Sequence, residues 1–374
     1  MVVAFYQLTG KIVAETPLHI GSGTRTGVTK HTKLFIPGSF IRGSFGTCLM
    51  KLEGESKLFK SAFGEEFGSA SDMFFKHSYP LHLSCECGKY LPASKTLYQC
   101  TKPQCKRFFD TFEPPYRCET PGCGTPVRPV SGFRCSECGE ITQKPVPTAR
   151  LTSTAVNRSS QSYAEIPEGE EKAGTLHILE LIAAGTVFSF EVIVDASREA
   201  DLKKIESVLT KCVPDEGVGG SKSRGLGKIR LENLAVNEVN DEMVKKGAED
   251  INTENFSIRL LSPMILEGSK GLEAPTLMEG CRRAYTWCFH SGKPQLPEVT
   301  LKAKRQTSEM FSGWSLKSGR RRRVEPAISA GSAYLFTCKE RSETLADSLA
   351  ALEYSAIGAY KPHGCGQVIV EKPP

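Results

Sequence analysis

Eight of the fourteen cysteines lie between Cys85 and Cys138, in four close pairs: Cys85/Cys87, Cys100/Cys105, Cys118/Cys123 and Cys135/Cys138. A stretch so rich in thiol, Pro and Gly, and so poor in aliphatic side chains, has little with which to build a core of its own. The chain opens MVVAFYQLTGKIVAETPLHIG, which shows no basic leader, no cleavage site and no amphipathic Arg/Ser pattern. In that setting, clustered cysteine pairs point to zinc rather than to disulfides. Sequential pairing gives one Zn–S₄ site from Cys85, Cys87, Cys100 and Cys105, and a second from Cys118, Cys123, Cys135 and Cys138; an interleaved pairing, with Cys85/Cys87 joining Cys118/Cys123, stays open. With every position taken by protein sulfur, such sites are closed and structural, and two Zn²⁺ ions are expected. The metal would supply the folding free energy of the insert, on the order of 10–16 kcal/mol per ion in small peptides. The other six cysteines (Cys48, Cys212, Cys281, Cys288, Cys338 and Cys365) are scattered and read as buried free thiols.

At 374 residues with 39% hydrophobic composition, the chain holds about two ordinary domains. No apolar run reaches the roughly 18–20 residues of a spanning helix, so a soluble, cytoplasmic protein without membrane contact is expected. The net charge of +6 permits nucleic acid without requiring it. Its distribution says more: residues 151–250 carry 18 carboxylates against 12 cations, while the flanking stretches and the cysteine-rich insert are basic. One-sided charge suits a polyanion on one face and protein neighbours elsewhere.

The pattern along the chain repeats. Val3, Phe5, Ile12, Val13, Leu18 and Ile20 mark an opening strand, and Phe40, Ile41, Phe45, Leu49 and Leu52 recur at helical spacing behind Ser39 as N-cap. Residues 72–79 read as a strand from which the insert leaves, 174–194 as two strands, and 198–211 as a helix. GVGGSKSRGLG and the strand KIRLENLAV follow. After the polar stretch 237–253, FSIRLLSPMIL repeats the opening strand, residues 327–337 a later one, and 341–354 a helix striped by Leu345, Leu349 and Leu352. AIGAYKPHGCGQVIVEK then matches GVGGSKSRGLGKIRLEN almost position for position. Two degenerate copies of one βαββαβ unit account for this. The expected layout is a first unit over 1–236 with a zinc-ribbon insertion at 85–140, a linker at 237–253 and a second unit over 254–374.

Gly217, Gly219, Gly220, Gly225 and Gly227 permit positive φ and close approach, and Lys222, Arg224 and Lys228 add charge. Such a loop presents N–H groups and cations to phosphates. It is neither a P-loop nor a dinucleotide fingerprint, because a strand rather than a helix follows it. Taken with IPGSFIRGSFGTCL at 36–49, PLHIGSG in the opening segment and TAVNRSSQSYAE…GTLHILELIAAGTVFSFEV, this sequence resembles the repeat-associated mysterious proteins (RAMPs) of CRISPR systems. The resemblance implies an α+β fold of two RRM-like (ferredoxin-like βαββαβ) domains. With matches in both halves, it resembles the two-domain subunit that caps the crRNA 5′ tag in type III (III-D-like) or type VII complexes.

Carried onto this chain, the resemblance places Ser39, Arg42 and Gly43 beside RNA backbone. It makes Gly220, Ser221, Lys222, Ser223, Arg224, Gly225 and Lys228 the first glycine loop, and gives the second loop, 360–366, Lys361 and His363 facing RNA. Lys30 and His31 lie in the loop after the first strand. Related backbone subunits cleave target RNA through an aspartate there; GTRTGVTKHTKLF contains no acid, so the chain reads as non-nucleolytic. Arg320, Arg321, Arg322 and Arg323, with Trp314 just before them, add bidentate phosphate donors. Phe35, Phe40 and Tyr360 are candidates for base stacking, with core packing the stronger expectation for Phe40. Three functions compete. The first is a non-catalytic crRNA-binding subunit with crRNA, nearby target RNA and other effector subunits as partners. The second is a metal-independent endoribonuclease with His31 as general base, and the third a zinc-ribbon adaptor between proteins.

Overall fold

The computed structural model describes residues 3–63, 71–85, 88–154, 176–268, 271–315 and 319–374. It is a mixed α+β structure built round two antiparallel four-stranded sheets. The first holds β1 (Val3–Ala14), β2 (Met73–Phe75), β3 (Val187–Asp195) and β4 (Ile229–Asn240), in the order β4-β1-β3-β2. The second holds β5 (Asn255–Leu260), β6 (Val299–Arg305), β7 (Ala333–Cys338) and β8 (Val368–Glu371), in the order β6-β7-β5-β8. Helix α1 (Gly38–Glu53) follows β1, and α2 (Leu202–Ser207) follows β3, continued by a π-turn over Val208–Cys212. In the second half α4 (Ala274–Phe289) follows β5 and α5 (Glu343–Ser355) follows β7. Each half thus runs strand, helix, strand, strand, helix, strand, with the fourth strand beside the first and the first beside the third.

Periodicity explains these elements. Along β3, Phe188, Phe190, Val192 and Val194 point to one face and are buried against Leu8, Ile12, Phe45 and Leu49. On α1 the buried residues Ile41, Phe45, Cys48 and Leu49 follow the helical repeat. In the second half Leu345, Leu349 and Leu352 of α5 close over Phe256, Ile258 and Phe336. The halves share a junction in which the Phe5 ring stacks on Trp287 at 4.9 Å and Trp287 Nε1 donates to Asp195 Oδ2.

Three local expectations change. The α1 helix begins at Gly38 with Pro37 in the capping position, so Ser39 is inside the first turn and caps nothing. Gly38 is there because a Cβ would sit 1.8 Å from the Phe75 carbonyl oxygen. Residues 237–253 are not a free linker: β4 continues to Asn240, whose side-chain oxygen accepts from Met243 N and starts α3 (Asp241–Ala248). Polar composition hid an amphipathic helix whose Val244 and Ala248 are buried in the second core. Cys48 and Cys212 are not free thiols but form a disulfide, Cα–Cα 5.9 Å, that ties α1 to the π-turn.

The cysteine-rich insert leaves after β2 and forms two small three-stranded sheets. One joins Tyr90–Pro92, Phe133–Cys135 and Ile141–Thr142; the other joins Leu97–Cys100, Phe108–Asp110 and Val127–Pro129. Its apolar centre is small: Ala93, Leu97 and Val130, with Ile141 against them. The insert lies against the second half, where Arg259 Nη1 donates to Pro92 O and Arg305 Nε to Phe112 O, each at 2.8 Å. Lys95 N also donates to Gly331 O at 2.8 Å. No helix among the described residues is long and apolar enough to cross a membrane.

Candidate nucleic-acid interface and metal centres

The two glycine loops have one backbone conformation. In the first, Gly217, Gly219, Ser221, Gly225 and Gly227 have φ of 71°, 92°, 61°, 82° and 92°; in the second, Ala356, Gly358, Tyr360, Gly364 and Gly366 have 59°, 88°, 59°, 88° and 73°. Each loop carries a short 3-10 turn, Lys222–Arg224 and Lys361–His363, between left-handed residues. Ser221 and Tyr360 thus adopt the left-handed region without being glycine, which sequence composition does not announce.

Helix α1 seats both loops. Its start packs on the second, the Gly38 Cβ position being 3.1 Å from His363 O, while Ser44 Oγ donates to Gly217 O of the first. Further along, Lys51 Nζ meets Glu216 Oε2 at 2.6 Å, and Lys222 Nζ reaches the same carboxylate at 2.7 Å. The motif at 36–49 is therefore where the two halves are held in register.

The first loop faces solvent. Lys222, Ser223, Arg224, Gly225 and Lys228 are exposed, Gly220 and Ser221 half-buried. Leu226 is buried beside Leu179 and Leu181 of the strand Leu176–Ile182. That strand pairs with Thr29–Thr32, which brings exposed Lys30 and half-buried His31 onto the same outer sheet. His31 Nδ1 lies 3.2 Å from Glu180 Oε2, and its Nε2 lies 3.1 Å from Thr26 Oγ1. Glu180 was not foreseen, because it lies 149 residues away in sequence.

The second loop is packed. His363 is 2% exposed, Arg42 is 7% exposed, and Lys361 is half-buried, so the expectation that Arg42 and His363 face RNA is corrected. Arg42 Nη1 lies 3.2 Å and Arg322 Nη1 2.6 Å from His363 Nε2. A guanidinium has only donors, so Nε2 accepts and the ring is neutral. Burial, and then the two guanidiniums, push the His363 pKa down to about 2. Burial and the neighbouring Arg322 lower Arg42 to about 9. Arg42 also donates to Phe63 O and lies over the Phe63 ring at 4.3 Å. These groups form a clamp between the halves. Ser39 and Gly43 sit half-buried on the same helix, and Gly43 O accepts from Thr47.

Arg320–Arg321 pairs with Trp314–Ser315 at the end of a hairpin whose base pairs Ser308–Phe311 with Glu325–Ile328. Arg320, Arg321 and Arg323 are exposed, as is Trp314 at 60%, whereas Arg322 turns inward to the clamp. Tyr360 is 6% exposed and so closed to a base, whereas Phe35, stacked on His77, and Phe40, packed against the first core, are half-buried. The stretch from residue 155 to 175 lies outside the described residues.

The insert brings its cysteines together in a nested order, unlike either pairing expected. His82, Cys85, Cys135 and Cys138 form one group, and Cys100, Cys105, Cys118 and Cys123 the other. The strands of the outer lobe close the second group locally, while the returning strand Phe133–Cys135 brings Cys135 back to Cys85. Cys87 lies outside the described residues. His82, missed in the sequence, stands at His-x-x-Cys spacing before Cys85 and offers the signal that would have found it. Its Nδ1 is 3.5 Å from Cys138 Sγ, and its Nε2 is 3.3 Å from Glu140, the carboxylate–imidazole arrangement that orients a metal ligand.

The donor sets fit a tetrahedral ion. Within each group the ligand atoms lie within 4.8 Å of one another. Cys100 and Cys123 sulfurs are 3.4 Å apart and those of Cys105 and Cys118 3.7 Å, against about 3.8 Å for thiolates round zinc. The Thr125 hydroxyl and backbone bring Cys123 down to about 6. Burial raises Cys135, but the N–H groups of Cys138 and Glu137 outweigh it and bring it to about 7. Burial, then Cys135 and Cys138, instead push Cys85 up to about 11, and Cys100 is also raised, so each group holds at least one thiol below its ordinary value and one above.

A family model described as the RAMP superfamily matches residues 11–230, more than half of the chain. The chain belongs to the RAMP superfamily. A second model, CRISPR-associated protein (Cas_Cmr3), matches residues 167–372, so this is a CRISPR-associated RAMP protein of type III. The CRISPR system Cms endoribonuclease Csm3 of Methanocaldococcus jannaschii is 31% identical over 88 residues, 21% of this RAMP protein and 36% of that relative. The match thus spans about a third of that relative's length. Among solved structures, a Cas6 product complex covers 98% of this chain and 100% of its own, with TM-score 0.44 and 11% identity. Thermus thermophilus Cas6 covers 99% and 100%, at 0.43 and 10%. A type III-B Cmr-beta complex bound to cognate target RNA covers 63% and 61%, at 0.33 and 15%. Scores this low add nothing to the topology itself.

Proposed function

We propose that this chain is a non-catalytic crRNA-binding subunit of a CRISPR ribonucleoprotein effector, gripping the repeat-derived 5′ tag and capping the backbone filament. The observation that carries the reading is the solvent-facing first glycine loop. There Lys222, Arg224 and Lys228 are exposed, and Leu226 of the same loop packs on the strand Leu176–Ile182, whose neighbour Thr29–Thr32 carries Lys30 and His31. Exposed cations at such a loop suit a sugar-phosphate chain, while the N–H groups of Gly220, Arg224, Gly225, Gly227 and Lys228 hold the loop itself in shape. The two halves then act as RRM-like domains clamped through Arg42, His363 and Arg322, with the arginine hairpin adding phosphate contacts. The acidic middle of the chain suits neighbouring effector subunits, and target RNA would pass nearby. The two cysteine groups would hold structural Zn²⁺, the inner one through His82, Cys85, Cys135 and Cys138.

One geometry favours a second reading, a metal-independent endoribonuclease. The Glu180 carboxylate against His31 Nδ1 would orient the ring and support a proton on it during acid–base catalysis. Against it stands the Thr26 hydroxyl at His31 Nε2, which already occupies the nitrogen that would meet RNA. The deciding experiment incubates the purified chain with labelled repeat RNA and no added metal. Tight retention of intact RNA is expected; cleavage that disappears in His31→Ala would overturn the non-catalytic reading.

A further inference from the structure

We propose that the outer face of the small sheet in the distal lobe of the insert binds single-stranded RNA, at a place separate from the glycine loops. The proposal rests on the reading of the chain as an RNA-binding subunit and adds a second RNA-binding surface to it. In this sheet Gln99 of the central strand lies opposite Phe108 on one side and Arg128 on the other. Cross-strand partners point to the same face, so phenyl, amide and guanidinium stand in one row. Phe108 is 42% exposed and Arg128 exposed.

The opposite face is already used. Tyr98, in register with Phe109 and Pro129, is 8% exposed and lies 5.9 Å beneath the Arg305 guanidinium of the second half. The sheet therefore leans on the body with one side and offers the other to solvent. Lys102, Lys106, Arg107 and Arg117 lie on the same lobe, where Lys102 donates to Gly122 O, Arg107 to the Thr120 hydroxyl and Arg117 to Gly124 O; the ion pairs of the insert among the described residues are instead His82–Glu140 and Arg134–Asp110.

Four thiolates round a divalent ion leave two negative charges, which alone would draw cations to this lobe. They give no reason for an exposed phenyl and an amide in register with one of those cations. Single-stranded RNA supplies the reason: a base stacks on the phenyl, the amide meets a base edge, and the guanidinium takes a phosphate or stacks in turn. An acidic protein surface would satisfy the cations but leave the phenyl unused.

The test uses the full chain, purified reduced with its metal, and fluorescent oligouridine titrated at several salt concentrations. Phe108→Ala should weaken binding roughly tenfold, and Arg128→Glu should reduce the salt slope by about 0.7 for each phosphate no longer neutralised. Metal content and thermal melting should match the parent in both. Phe108→Tyr should keep the affinity and Phe108→Leu should lose it; equal binding by the Leu variant would overturn stacking. Photocrosslinks from thiouridine should map to the strands at Gln99 and Phe108. If the parent binds RNA and all variants bind with its affinity and slope, this proposal falls and the main reading stands. If the parent binds no RNA, both fall.

Discussion

Replacing His363 by Gln should flatten the acid dependence of stability by the worth of one buried imidazole. In the fold, burial and the facing guanidiniums of Arg42 and Arg322 hold His363 neutral down to about pH 2. The unfolded chain takes up that proton near the ordinary value of about 6.5. Because the folded value is depressed, the contribution is fully present above about 6.5 and is lost as pH falls below it. Between pH 7 and 5 the loss comes to about 2 kcal/mol, at about 1.4 kcal/mol per pH unit, and any folded value below about 4 gives the same figure. Gln offers a carbonyl oxygen to the guanidiniums but takes no proton in this range. His77, which accepts from Gly38 N and which burial and then Lys33 lower to about 3, keeps its own slope in both proteins. Burial raises Glu309, Asp347 and Glu353, which work the other way, again in both. Urea unfolding at several pH values, followed by tryptophan fluorescence with Trp287 at the junction, gives the difference directly. A parent-minus-variant stability that stays constant within about 0.5 kcal/mol from pH 7 to 5 would refute the neutral, clamped histidine.

Metal analysis of reduced protein should find about two ions per chain, one lost in Cys118→Ser and the other in His82→Ala or Cys135→Ser; a metal-free, fully folded preparation would contradict both centres. Replacing Arg320, Arg321 and Arg323 by Ala should weaken RNA binding and lower its salt slope by roughly 0.7 per phosphate released, whereas an unchanged slope would make the hairpin mere surface. Gly366→Ala should destabilise the fold by more than the roughly 1–2 kcal/mol of a left-handed alanine. At φ 73° its Cβ would also lie 1.8 Å from Ile357 O. Melting equal to the parent would refute that close approach.

Much of this was legible in the residues because it is local. Alternating Phe and Val wrote β3, the helical stripe wrote α1, and the paired loops GVGGSKSRGLG and AIGAYKPHGCG announced two copies of one plan. What misled was also local: polarity over 237–253 concealed a helix whose few apolar side chains need the second core to bury them. Spacing could name the cysteines as candidate ligands but not sort them into groups, since partnership depends on which strand returns beside which. That returning strand unites Cys85 with Cys135 and Cys138 and lets His82 join them.

The sequence by itself determined the principal strands and helices of the two halves, their repeated strand–helix plan and the chemical character of the insert, because periodicity and composition act over a few residues. Only the tertiary structure decided which cations face solvent and which are locked. Arg224 and Arg42 look alike as residues, but one ends on a solvent-facing turn and the other on the buried side of α1, against His363, from a loop 321 residues away. Burial is a property of what packs on top, and no stretch of chain carries that information alone.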